Sequence, residues 1–247
     1  MEFFLQLLVN GISLGLLYAL SALGFVMIFK SSSVLNLAHG ELLAIGAFIF
    51  LVLSSWANLP IVVAFAITLG GTFALGFAVE RLFLRPLIGE SLIEVIMMTL
   101  GLGIMFKGLL LFAFGGDIHS YRRFLPEGLS VEVGGIFIPS VNVATLIIGI
   151  LFLIVFGLFF KYSSQGIYMR SVADNQPAAL SLGVHVRRVF ALSWAIAFIV
   201  AAMSGIVLGI INGVNVHNLS GIGLKVFPVV ILGGLDSIGG AILGGII

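Results

Sequence analysis

The chain of 247 residues is 61% hydrophobic and only 9% charged, with a net charge of +1 and no cysteine. A soluble domain carries about a quarter charged residues, so composition points to a protein embedded in a bilayer, and a balance this close to neutral argues against a nucleic-acid partner. The missing cysteines exclude disulfides, thiolate metal sites and thiol catalysis; His39, His119, His185 and His217 show no metal-ligand spacing.

The N-terminus, MEFFLQLL, puts an acid where a secretory signal needs basic residues, and no small-residue cleavage site follows. The first apolar run is therefore expected to remain as a span. Runs of about 20 apolar residues can cross as helices, and they lie at 4–29, 34–53, 59–79, 92–114, 141–160, 189–211 and 221–247. The last is interrupted by Gly233, Gly234 and Asp236, and reads as one span, two half-spans or a re-entrant turn. The expected fold is all-α: one polytopic transmembrane helical bundle over 1–247, with about seven to eight spans, some of them broken.

Alternating crossings collect Lys30, Arg81, Arg85, Lys161, Arg170, Arg187 and Arg188 on one side, against Arg122 and Arg123 on the other. Basic residues in short loops stay in the cytoplasm. The N-terminus is thus expected outside, loop 161–188 in the cytoplasm, and the mixed-charge loop 115–140 outside. A hairpin in the last run would move the C-terminus outside but leave loop 161–188 in place.

Glycines stand four apart at Gly11 and Gly15, at Gly205, Gly209 and Gly213, and at Gly240 and Gly244. Such spacing lets helices approach closely, within one bundle or between copies. Asn36, His39 and Glu41 open the second span, where polar groups must face protein or water. One reading is a broken helix lining a translocation path. The other has Asn36 capping the helix, with His39 and Glu41 bonded to a neighbour. Glu94 and Lys225 lie near expected span ends and can snorkel. Lys107 is deeper and needs a carboxylate or carbonyl partner. A proton relay would need several such groups in series, and the sequence shows none.

No G-x-x-x-x-G-K-[ST], H-E-x-x-H or G-x-S-x-G occurs. No catalytic or metal-binding residue is expected, and ATP-driven transport would need a separate ATP-binding subunit. Within loop 161–188, Pro177 and Gly183 carry the asymmetry of Pro at a helix start and Gly past its end. They predict a short helix at 177–182, capped by Asn175 or Gln176, whose small apolar face is Ala178, Ala179 and Leu182. So short a helix needs support, either from lipid headgroups or from a cytosolic partner.

The run from Arg170 through Ala173, Asp174, Ala178, Ala179, Leu182 and Gly183 to Val184 resembles the cytoplasmic loop of permeases of branched-chain amino acid ABC importers. Three further motifs agree, in the family's order: Asn10-Gly11 with Gly15, Tyr18, Ala19 and Leu20; Asn36-Leu37-Ala38-His39-Gly40-Glu41; and Gly223-Leu224-Lys225 with Leu232-Gly233-Gly234 and Ser237-Ile238-Gly239-Gly240-Ala241. The resemblance covers almost the whole chain, although such permeases usually continue for several tens of residues, including another span, beyond the position of Ile247.

The resemblance implies a plasma (inner) membrane permease that binds no cofactor. Its partners would be a second homologous permease, two ATP-binding subunits that use the ATP, an external solute-binding protein and the lipid bilayer. It implies an ATPase-coupling loop of Arg170, Ala173, Asp174, Ala178, Ala179, Leu182 and Gly183. Candidates for the path or bundle core are Asn10, Tyr18, Asn36, His39, Glu41, Lys225 and Asp236. Substrates would be branched-chain amino acids; alternatives are urea or short amides, or an ATP-independent carrier or channel.

Overall fold

The computed structural model describes residues 2–121, 130–133 and 136–247. Ten α-helices dominate: α1 Glu2–Ser32, α2 His39–Leu51, α3 Ile61–Val79, α4 Leu92–Phe114, α5 Ser140–Tyr162, α6 Ser164–Asp174, α7 Gln176–Ser181, α8 Val186–Asn212, α9 Val216–Gly233 and α10 Ile238–Ile246. An antiparallel hairpin, β1 Ser130–Val133 and β2 Ile136–Pro139, precedes α5. Of loop 115–140, Arg122, Arg123 and Glu127 lie outside the described residues.

Among the described residues six helical stretches are long and apolar enough to cross a membrane, and α5 with α6 makes a seventh if that pair, bent by 69°, is one span. The expected all-α multi-pass bundle is what forms. Its centre is α1, α2, α8 and α9. The sequence of α2 is apolar on nearly every side and is buried nearly all round. By contrast α3 and α4 expose Val62, Ile104 and Phe112 outward, as lipid-facing helices do. Buried hydroxyls turn onto their own helix: Ser21 donates to the Leu17 carbonyl (3.0 Å), Thr68 to Ala64 (2.8 Å) and Ser193 to Val189 (2.8 Å).

Helices cross where one side lacks a side chain. A methyl on Gly46 would run into Ala202, one on Gly205 into the Leu43 carbonyl, and one on Gly40 into the Ser220 carbonyl. Of the spaced glycines, Gly205, Gly240 and Gly244 are thus spent on packing inside this chain, whereas Gly11 has nothing near it.

The last run is a hairpin. The helix-breaking Gly233-Gly234, with Gly234 at φ +93°, ends α9. Ser237 caps α10 by accepting from Gly240 N (2.9 Å). The nine-residue α10 folds back so that Gly240 meets Gly233 and Gly244 meets Val229, while Gly245 meets Gly15 and Ala19 of α1. One span and a short returning helix therefore replace a single run to residue 247.

Candidate coupling surface and translocation path

Lys30 and Arg170 meet on the Phe160 ring beside Lys161, and Glu80, paired with Arg85, shares a crevice with Gln176 of loop 161–188. Loop 161–188 builds its own framework there. Ser163 caps α6 by accepting from Gly166 N (2.9 Å), and Asn175 caps α7 by accepting from Ala178 N (3.0 Å). After α7, Gly183 takes φ +83°; its N–H bonds Leu180 O (3.0 Å) and the Val184 N–H bonds Ala179 O (3.0 Å), a glycine-terminated helix end. The predicted short helix exists, shifted by one residue, with Asn175 as its cap.

Its predicted apolar face is not one face. Ala179 is buried, while Ala178 and Leu182 are exposed, because neighbours on a helix diverge by about 100° and Leu182 lies past the end. Ala179 joins Met169 and Val172 in a core with Leu20, Leu23 and Met27 of α1, Leu153 and Phe160 of α5, and Val186 and Val189 of α8. Outward, Leu180 and Leu182 stand 54% and 83% exposed beside exposed Asp174, Arg187 and Arg188.

Arg170 does not flank this surface as a free charge. Its guanidinium donates to the carbonyls of Phe160 (2.9 Å) and Lys161 (3.1 Å), closing the C-terminal end of α5. Gly166 lets α6 pass directly over the Phe160 carbonyl. On the Phe160 ring sit two cations, Arg170 at 5.8 Å and Lys30 at 5.7 Å. Lys30 Nζ also donates to the Asp236 carbonyl (2.8 Å) in the α9–α10 turn. Ala173, half-buried, lies in the last turn of α6.

A crevice at the same end lies beneath α7, lined by Ser33, Glu80, Glu90, Gln176, Phe190 and Trp194. Glu80, almost fully buried, is held by Arg85 at 2.9 Å.

The polar start of α2 sits deeper. His39 Nε2 hydrogen-bonds the Ser21 carbonyl (2.8 Å), roughly 16 Å along α1 from its last residue at 1.5 Å per residue. The chain from 33 to 38 runs inward without helix to reach it. Thr99 of α4 braces that segment, accepting from Leu37 N (3.3 Å) while its hydroxyl lies within reach of Ile96 O (2.9 Å) and Leu35 O (3.3 Å). Asn36 accepts from Ala38 N (3.1 Å) in a local turn; the cap position is Ala38, without a side-chain bond, so the capping expected of Asn36 is not found. Among the described residues, buried Asn36 Nδ2, His39 Nδ1 and Ser220 Oγ have no hydrogen-bond partner. Glu41 lies over Gly103 of α4 with Lys107 and the Ser220 side chain nearby, but among the described residues it forms no ion pair with Lys107.

The seven path candidates do not form one cluster. Asn36, His39 and Glu41 share the α1–α2–α4–α9 junction. Asn10 and Tyr18 lie on α1, exposed and half-buried, and Asp236 lies in the turn at the Lys30 end. Lys225 faces away from the junction: Gly223 packs on Gly40, and two residues on is about 200° round the helix. Nor is Lys225 near a span end. The helix starts earlier than the apolar run suggested, at an Asn215 cap that accepts from Asn218 N (3.1 Å) and donates to Gly116 O (2.6 Å). The Asn215 to Asn218 spacing after Gly213 was the overlooked signal.

Residues 7–247 match the family described as branched-chain amino acid transport system / permease component. The chain is 30% identical to BraD of Pseudomonas aeruginosa, a high-affinity branched-chain amino acid transport system permease protein, over 99% of this chain and 83% of that one. It is 28% identical to the Escherichia coli K12 protein LivH, of the same description, over the same shares. The E. coli galactofuranose transporter permease YtfT is 27% identical, over 90% of this chain and 62% of its own. No solved structure matches. This multi-pass helical protein belongs to the branched-chain amino acid transport permease family.

Proposed function

We propose that this chain, as one permease domain over 1–247, is the membrane subunit of an ATP-driven importer that passes branched-chain amino acids delivered by an external binding protein. A second homologous permease completes the path, and two ATP-binding subunits hydrolyse the ATP; this chain does no catalysis and holds no cofactor. It sits in the plasma (inner) membrane with its N-terminus outside and loop 161–188 in the cytoplasm, supported by the alternating crossings that collect Lys30, Arg81, Arg85, Lys161, Arg170, Arg187 and Arg188 on one side.

One observation carries the reading: a capped short helix, rooted by Ala179 in a core shared with α1, α5 and α8, turns Leu180 and Leu182 outward at the basic end. Apolar residues exposed on a rigid knob outside the spans mark a docking surface. The coupling residues divide accordingly. Asp174, Ala178, Leu182 and Gly183 meet or shape the partner, while Arg170, Ala173 and Ala179 tie the knob to the bundle. Replacing Leu180 and Leu182 together by Asp is expected to abolish co-purification of the ATP-binding subunit from a membrane extract while the permease itself remains monodisperse. Retained co-purification contradicts the assignment.

A further inference from the structure

Lys225 stands exposed on α9, nine residues after Val216 and eight before Gly233. At 1.5 Å per residue it is therefore about 12 Å or more from either end of the span. Among the described residues it has neither a hydrogen-bond nor an ion-pair partner. An unpaired ammonium at that depth is unfavourable against lipid and marks a water-lined path. The stripe it belongs to agrees. His217, Asn218, Leu224, Lys225 and Pro228 are exposed and recur at helical spacing, with His217 over Gly116 at the end away from Lys30.

A second polar group lies beside it. Pro228 is inside the helix and has no N–H to give the carbonyl four residues back. That carbonyl, left without its usual helical donor, is Leu224's, whose side chain is exposed next to Lys225. An ammonium donor and a released carbonyl acceptor thus occur within one turn, on a helix otherwise apolar at this depth. Their chemistry complements a carboxylate and an ammonium carried close together on one small molecule.

We infer that Lys225 and the Leu224 carbonyl form a transit site for amino acid zwitterions, Lys225 taking the carboxylate and the carbonyl the α-ammonium. The inference rests on the transport reading above and names the chemistry of its path. It also separates amino acids from urea and short amides, which have no carboxylate for Lys225 to hold. The site belongs to α9 and is distinct from the Asn36, His39 and Glu41 junction on the opposite face.

The absence of cysteine in this chain allows a clean test. In the complete importer in proteoliposomes, with partner cysteines replaced, Lys225→Cys is expected to slow leucine uptake about tenfold or more, the scale of a lost charge-assisted hydrogen bond. Modification with 2-aminoethyl methanethiosulfonate, which restores an ammonium, should recover much of the rate; the sulfonatoethyl reagent, which adds an anion, should not. Uptake at the unsubstituted rate, or a slowed variant indifferent to both reagents, overturns the site. Should Lys225→Cys fail to assemble, Lys225→Arg against Lys225→Gln decides, since equal uptake by the two removes any role for the charge. Failure of the unsubstituted importer to show ATP-dependent uptake instead contradicts the transport reading.

Discussion

A methyl group decides the helix crossings. Gly46 opposes Ala202 and Gly205 opposes the Leu43 carbonyl, whereas Gly71 and Gly101 have open space beside them. Gly46→Ala and Gly205→Ala are therefore expected to destabilise the purified protein by about 1–3 kcal/mol, the range for overpacking. Gly71→Ala and Gly101→Ala, gaining helix propensity, should leave it unchanged or slightly firmer; thermal unfolding in detergent compares the four, and equal losses would contradict this packing. Spacing exposed Gly205 in the sequence, because Gly209 and Gly213 follow at intervals of four. It could not expose Gly46, whose partner is a distant alanine and whose own neighbours carry no pattern. Lys225 was legible as an odd charge, but its depth depended on where α9 begins, and that start is set by contacts of Asn215 with the chain beyond α4.

Between elements, the joint at the basic end is built of cations on carbonyls. Arg170 closes α5, and Lys30 fastens α1 to the α9–α10 turn, both lying on the Phe160 ring. Arg170→Met removes two charge-assisted bonds, each worth about 1.5–3 kcal/mol, so the elbow between α5 and α6 should loosen. Substrate-stimulated ATPase activity is then expected to fall several-fold while the ATP-binding subunit still co-purifies; unchanged stimulation would show that the joint transmits nothing. Gly183→Val, at a φ of +83° where a β-branched residue is strained, should distort the end of α7 and weaken co-purification instead. Pro177 and Gly183 made α7 readable from sequence because capping is local. The division of Ala178 from Ala179 was not readable, since which side of a short helix meets the bundle depends on α1, α5 and α8.

For the molecule as a whole, order along the chain was clear because each long apolar run must satisfy its own backbone as a helix. Depth was not. The non-helical approach to His39 and the seating of α10 on α1 both depend on partners distant in sequence, Thr99 and Ser21 for the first and Gly15 for the second. Such an assembly positions a polar junction inside the bundle and leaves Leu180 and Leu182 exposed at one end, where the proposed ATP-binding subunit would dock. The most direct test is leucine uptake into proteoliposomes holding the complete importer, with ATP supplied on the side of α7 and the binding protein on the other. Uptake that requires both, and that stops when Leu180 and Leu182 are replaced by Asp, is the predicted result. Uptake by the isolated permease driven by an ion gradient, indifferent to ATP, would contradict it.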